Sequence, residues 1–322
     1  MLQVKNLSTS FEVEGHWQQV VRGVSFSVQA GQTLGIIGES GCGKSVTSLS
    51  LMRLIPHPWG RIDEGEVFLA GKELMGLSAE AFRQIRGRDL AMIFQDPMTS
   101  LNPVMTIGQQ LEEVLVRRPK PGRSFIERAL DLLREVGIPD PTARLKAYPH
   151  ELSGGMKQRV MIAMALAAEP KVLIADEPTT ALDVTIQAQI LALLKDLQKR
   201  HQMALVLITH DLGVVAQVCD EVAVMYGGRL VERARAAQFF TEPKHPYSFG
   251  LIRSILSLTE PGRSRLFTIA GTVPQLGQFG AGCVFAGRCD CAQAECLKEH
   301  PSLVEGPDQR ALACYHPVEE SR

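Results

Sequence analysis

The eight residues Gly38, Glu39, Ser40, Gly41, Cys42, Gly43, Lys44 and Ser45 constrain this chain more than any other stretch. They match the pattern G-x-x-x-x-G-K-[ST]. An apolar run, residues 32–37 (QTLGII), leads into them, and a helical pattern from about residue 43 to 54 follows. A buried strand, a tight glycine turn and a helix in that order make a phosphate cradle. The glycines let the backbone curl until several N–H groups point inward, and the helix start adds partial positive charge. Lys44 is placed to reach β- and γ-phosphates, and the Ser45 hydroxyl to ligate Mg²⁺. A chance glycine-rich turn has no need of the strand before it or the helix after it.

A second element supplies what the cradle lacks. Residues 171–175 (KVLIA) read as a buried strand that stops at two acids, Asp176 and Glu177. Ligands of open α/β sheets bind at the C-terminal ends of strands, where this strand would deliver both carboxylates. Asp176 is expected in the Mg²⁺ coordination sphere, and Glu177 is expected to polarise an attacking water. Two ordinary surface acids would not require a fully apolar run ahead of them.

The rest of the chain places these motifs in an α/β fold. Leu2, Val4 and Leu7, then Val24, Phe26 and Val28, alternate as antiparallel strands do. Residues 66–69, 90–94 (LAMIF) and 204–209 (ALVLIT) read as further strands. From about 97 to 157 the strands give way to amphipathic helical spacing, as in Phe125, Ala129, Leu132, Leu133 and Val136. Alternating strands and helices predict a mainly parallel sheet covered on both faces. A boundary is expected near 235, giving a nucleotide-binding domain over 1–235 and a Cys-rich segment over 236–322. Charge gives no sign of a nucleic-acid partner: 34 Lys and Arg against 35 Asp and Glu give a net charge of -1, without the basic excess of such binders, although a local basic patch stays open. The first residues lack a signal-peptide pattern, and the most apolar stretch, residues 160–168, is too short to span a bilayer. Any membrane link is therefore expected to run through a partner.

Leu152-Ser153-Gly154-Gly155-Met156 adds a third motif, a serine and two glycines opening a helix. It resembles the LSGG signature of the ABC ATPases, although many members carry Gln where this chain has Met156. The resemblance covers about residues 1–235. It implies a P-loop NTPase fold with an antiparallel N-terminal subdomain and a helical insertion. It also implies that Ser153, Gly154 and Gly155 close on the ATP held by a second ATPase subunit. Gln95 resembles the family's Q-loop glutamine, which senses Mg²⁺. Asp183, in Ala181-Leu182-Asp183, resembles the D-loop acid facing the partner subunit. His210 resembles the switch histidine at the γ-phosphate, and Phe11 the aromatic stacked on adenine, with Trp17 as the alternative.

Beyond 235 the resemblance narrows. Lys244-His245-Pro246-Tyr247 with Gly250-Leu251, and the phrases around Gln95 and Glu177, are similar to ATPase subunits of oligopeptide, dipeptide and nickel importers, most of all the dipeptide type. This implies ATP-driven import of peptides, with nickel or another small solute as the alternative. It implies a related second ATPase in a heterodimer, two membrane permease subunits, an external solute-binding protein, and a peripheral place on the cytoplasmic face of the membrane. A soluble non-transport ABC ATPase or an exporter ATPase is a weaker alternative, since this chain has one cassette, no long inserted arm and no fused membrane segment. Cys283, Cys289, Cys296 and Cys314 stand where the subfamily carries cysteines, and some members hold a [4Fe–4S] cluster there. Thiolates suit such a cluster and zinc alike, and the spacing permits either or neither. Cys291 is a spare or a substitute for Cys289.

Overall fold

A computed structural model describes residues 1–96, 100–180, 182–259 and 267–319. Its strands, in chain order, are β1 (Leu2–Val13), β2 (His16–Val28), β3 (Thr33–Ile37), β4 (Gly60–Leu69), β5 (Lys72–Glu73), β6 (Leu90–Ile93), β7 (Val172–Asp176), β8 (Ala204–Ile208), β9 (Glu221–Tyr226), β10 (Arg229–Arg235), β11 (Val304–Glu305) and β12 (Ala311–Leu312). Chain contacts divide the protein into two units. One comprises residues 1–2, 28–32 and 69–207, and the other residues 3–27, 33–68 and 208–322.

The first unit is the more local in sequence. In it β6 runs parallel to β7, with Leu90 opposite Val172 and Ile93 opposite Ala175, and β8 follows β7 in the strand order. All five residues of β7 are buried, as are all five of β8. Strands covered on both faces read as continuous apolar runs rather than alternating ones. Among the described residues no strand lies between Ile93 and Val172, and the segment is helical. Its helices Ile107–Leu115 and Phe125–Glu135 each begin with a capping box, Thr106 with Gln109 and Ser124 with Glu127. Each box satisfies two backbone donors that the first turn leaves open. Helix Gly154–Leu166 and helix Val184–His201 complete this unit's helical part.

The second unit holds two sheets. Strands β1 and β2 are joined at Glu14 and Gly15, both at positive φ (52° and 78°), as a tight hairpin requires. The strand order is β2-β1-β4. The other sheet runs β11-β12-β10-β9-β3. β3 and β9 are parallel, with Leu34 opposite Glu221 and Ile37 opposite Val224, while β9, β10, β12 and β11 are antiparallel in turn. Sequence alternation did not mark β9 and β10. Five of the six residues of β9 are buried and so do not alternate, and its turn into β10 depends on Gly227 and Gly228 at positive φ. The segment after 235, where periodicity weakens, contributes helix Pro246–Thr259, strand β12 beside β10, and the edge strand β11.

One buried carboxylate ties that segment to β10. Glu232 is fully buried and accepts the backbone N–H groups of Lys244 (3.1 Å) and His245 (2.9 Å) and a guanidinium N–H of Arg310 (3.3 Å). Burial raises its pKa, and the His245 amide is the largest influence opposing that shift. An ionised group this deep persists only when several donors surround it.

Candidate active site and cysteine pocket

In the second unit β3 delivers the phosphate loop. Gly38, Gly41 and Gly43 hold φ of 149°, 79° and 101°, values that L side chains rarely adopt. A Cβ on Gly38 would lie 2.2 Å from the Met225 carbonyl oxygen, and one on Gly43 would lie 2.8 Å from the Val20 carbonyl oxygen. These glycines are fixed by close backbone approach as well as by curvature. Helix Lys44–Leu51 starts directly from the loop with no side chain capping it, so its first amides face the loop. Lys44 is buried, and its ammonium donates to the carbonyls of Gly38 (2.7 Å) and Glu39 (3.0 Å). Cys42 is buried beside it, with Sγ 3.7 Å from Nζ, and burial raises the thiol pKa. Ser40, Gly41 and Ser45 lie along the same curl.

His210 follows β8 and is exposed, and the next residue, Asp211, caps helix Leu212–Val218 by accepting from Gly213 and Val214. Phe11 is half-buried against β4, where a Cβ on Gly60 would meet its ring at 2.9 Å. Trp17 is 41 % exposed, with the Arg61 guanidinium 4.1 Å above its ring. The long β1–β2 hairpin separates the two aromatic candidates along the chain.

The first unit brings other expected residues together. Asp176 ends β7 and is buried. Glu177 follows at φ 46°, a strained value for a non-glycine residue and one common at functional sites. Its Oε2 accepts from Gln95 Nε2 (3.0 Å) and from Thr180 Oγ1 (2.9 Å). Gln95 and Glu177 lie 82 positions apart in sequence, so the fold has joined two residues that were singled out separately. Thr180 was not singled out; its signal is its place one turn after the acid.

The signature residues also have local reasons. Ser153 caps helix Gly154–Leu166 by accepting from the Met156 amide (3.4 Å). A Cβ on Gly155 would sit 2.9 Å from Ile186 Cγ2, and one on Gly154 would meet Leu182 at 3.4 Å. Asp183 caps helix Val184–His201 through the Ile186 amide (2.9 Å). Ser153 and Asp183 therefore each cap a helix start, and small residues let the two segments pack.

The four expected cysteines do converge. Cys283, Cys289, Cys296 and Cys314 line one small cavity of about 20 Å³, together with Cys291, His245, Phe285 and His316. Burial, then the neighbouring thiols, raise Cys289 to about 11 and Cys314 to about 12, and burial raises Cys283. These shifts place the thiols within electrostatic reach of one another. A bound cation reverses that balance and favours thiolates. Among the described residues no three His, Cys, Asp or Glu side chains are gathered tightly enough to hold a single metal ion.

Comparison with known proteins agrees with this geometry. The family described as ABC transporter matches residues 21–180, and the one described as oligopeptide/dipeptide transporter, C-terminal region, matches residues 231–296. The chain belongs to the ATP-binding subunits of the ABC transporters, with the P-loop fold, ATP as substrate and Mg²⁺ as cofactor. Within them it is 50 % identical over 309 residues to the oligopeptide transport ATP-binding protein OppD of Bacillus subtilis, covering 96 % of this chain and 86 % of the relative. It is 49 % identical to the dipeptide transport ATP-binding protein DppD of the same organism, covering 98 % and 94 %. A solved ATP-binding cassette, MJ0796, a dimer in a post-hydrolysis state with ADP and Pi, aligns over 73 % of this chain and 99 % of its own, with a TM-score of 0.65 and 27 % identity.

Proposed function

We propose that this chain hydrolyses ATP to drive peptide import through separate permease subunits, from a peripheral position on the cytoplasmic face of the membrane. The C-terminal match to the oligopeptide/dipeptide transporter family carries the peptide assignment, with relatives of that kind along nearly the whole chain. Among the described residues no helix is long and apolar enough to cross a membrane.

In the proposed reaction the phosphate loop binds the triphosphate through its amides, with Lys44 at the β- and γ-phosphates. Ser45, Asp176 and Gln95 each carry an oxygen donor of the kind Mg²⁺ prefers and would hold the ion, which would supply neutralisation of phosphate charge. Glu177 takes the proton of the attacking water and His210 holds the γ-phosphate. Thr180 and Gln95 aim the Glu177 carboxylate. Phe11 stacks on adenine, with Trp17 as the alternative. Ser153, Gly154, Gly155 and Asp183 serve the ATP of a second, related subunit, so turnover requires a pair.

The test is uptake. In cells lacking this chain but retaining its permeases, labelled dipeptide uptake should fall to background and return on re-expression. Intact peptide uptake with loss of nickel uptake would move the assignment to a metal importer.

We also propose a [4Fe–4S] cluster on Cys283, Cys289, Cys296 and Cys314. The reading rests on their shared cavity alone, since among the described residues no three such side chains gather closely enough to hold a metal ion. Such a cluster would join three separated parts of the tail. Anaerobically purified protein should be brown, with about four iron and four sulfide per chain for this cluster type. A colourless protein with stoichiometric zinc would replace the cluster by zinc.

A further inference from the structure

The C-terminal segment reaches the glycine loop at Glu39. Glu39 is the second residue of the 38–45 loop, so it carries a negative charge on the segment assigned to the triphosphate. Arg288, 249 positions later, forms a two-pronged ion pair with it: Nη2 lies 3.1 Å from Oε1, and Nη1 contacts Oε2. The Arg288 side chain is 6 % exposed. It is held from the other side as well, its Nε donating to the Ala270 carbonyl (2.9 Å) and its Nη1 to the Tyr226 hydroxyl (3.3 Å). A planar guanidinium fixed on three sides sets both the charge and the direction of its carboxylate partner.

A second contact falls on the same residue. The Glu39 amide donates to the Tyr247 hydroxyl (2.8 Å). Tyr247 is fully buried and is positioned by the motif that precedes it. Pro246 opens helix Pro246–Thr259, and the His245 ring nitrogen Nδ1 accepts the Tyr247 amide (3.1 Å). Burial lowers His245 to about 3, which keeps that nitrogen an acceptor. The Tyr247 ring also packs on Tyr226 (4.8 Å) and on Phe285 (5.3 Å).

We propose that Arg288 and Tyr247 are positioning residues of the ATP site: they hold Glu39 at both its carboxylate and its amide, so that the loop stays open to phosphate and one negative charge beside it is neutralised. This rests on the assignment of residues 38–45 to the phosphates. It gives the tail a role in catalysis separate from any cluster it carries.

The discriminating measurement is a double-substitution cycle in the purified full-length chain, reading the affinity for a fluorescent ATP analogue. Arg288→Gln should weaken binding about tenfold by leaving an unneutralised carboxylate beside the phosphates, and less at high salt. In a Glu39→Gln background the same Arg288 change should cost less than about twofold, because the repelling charge is gone. Arg288→Lys, which keeps the charge, should recover part of the loss. Tyr247→Phe should weaken binding with its ring packing intact. An equal loss in both backgrounds would reduce Arg288 to a structural prop, and unchanged affinity in the single variant would remove the proposal. If Lys44→Ala also left affinity unchanged, the phosphate-loop assignment itself would be at fault.

Discussion

Replacing Glu177 by Gln is expected to lower turnover by about 10²- to 10⁴-fold, the usual contribution of a positioned general base, while ATP still binds. The geometry makes this substitution clean. Glu177 Oε2 accepts two hydrogen bonds, from Gln95 and from Thr180. The amide oxygen of a glutamine can still accept both, more weakly than a carboxylate, so the partners of the loop after β7 are retained. What the amide lacks is the ability to take a proton from water. Single-turnover hydrolysis and nucleotide binding on the same preparation separate the two effects. Turnover within a few-fold of the unsubstituted protein would mean that another group activates the water.

The second large effect is expected at Lys44. Changing it to Ala should weaken ATP binding by about ten- to a hundredfold or more, since a charge-assisted hydrogen bond contributes about 1.5–3 kcal/mol and at least one is lost to phosphate. The ammonium also braces the loop, because it donates to the carbonyls of Gly38 and Glu39. Equilibrium binding gives the first effect, and a thermal melt without nucleotide gives the second. An affinity within threefold of the original would remove Lys44 from the phosphates. The two substitutions therefore divide the reaction: one variant binds without turning over, and the other fails to bind.

What the sequence revealed depended on how far apart the interacting parts lie. The phosphate loop was legible because its glycines, lysine and serine are adjacent, and the turn they specify is local. β7 and its two acids were legible for the same reason. Gln95 and Glu177 were each recognised from their place in an ordered series of motifs, but no spacing rule shows that they touch. β9 went unmarked because burial on both faces removes alternation. The ion pair between Glu39 and Arg288 joins positions 249 apart and has no periodic trace. The convergence of four cysteines on one cavity was suggested by resemblance, whereas their spacing alone left it open.

The second unit is assembled from three separated pieces of chain, whereas the first is almost one uninterrupted stretch, 69–207. During synthesis domains form as their residues emerge, N-terminal parts first. The helical segment can therefore consolidate on the ribosome while β3 still lacks β9. Strands β12 and β11 and the residue that neutralises Glu39 all leave the ribosome more than two hundred residues after the loop. A nascent chain of this protein has its nucleotide loop early and acquires the loop's supports much later, so a product cut short between them would carry the motif without its support.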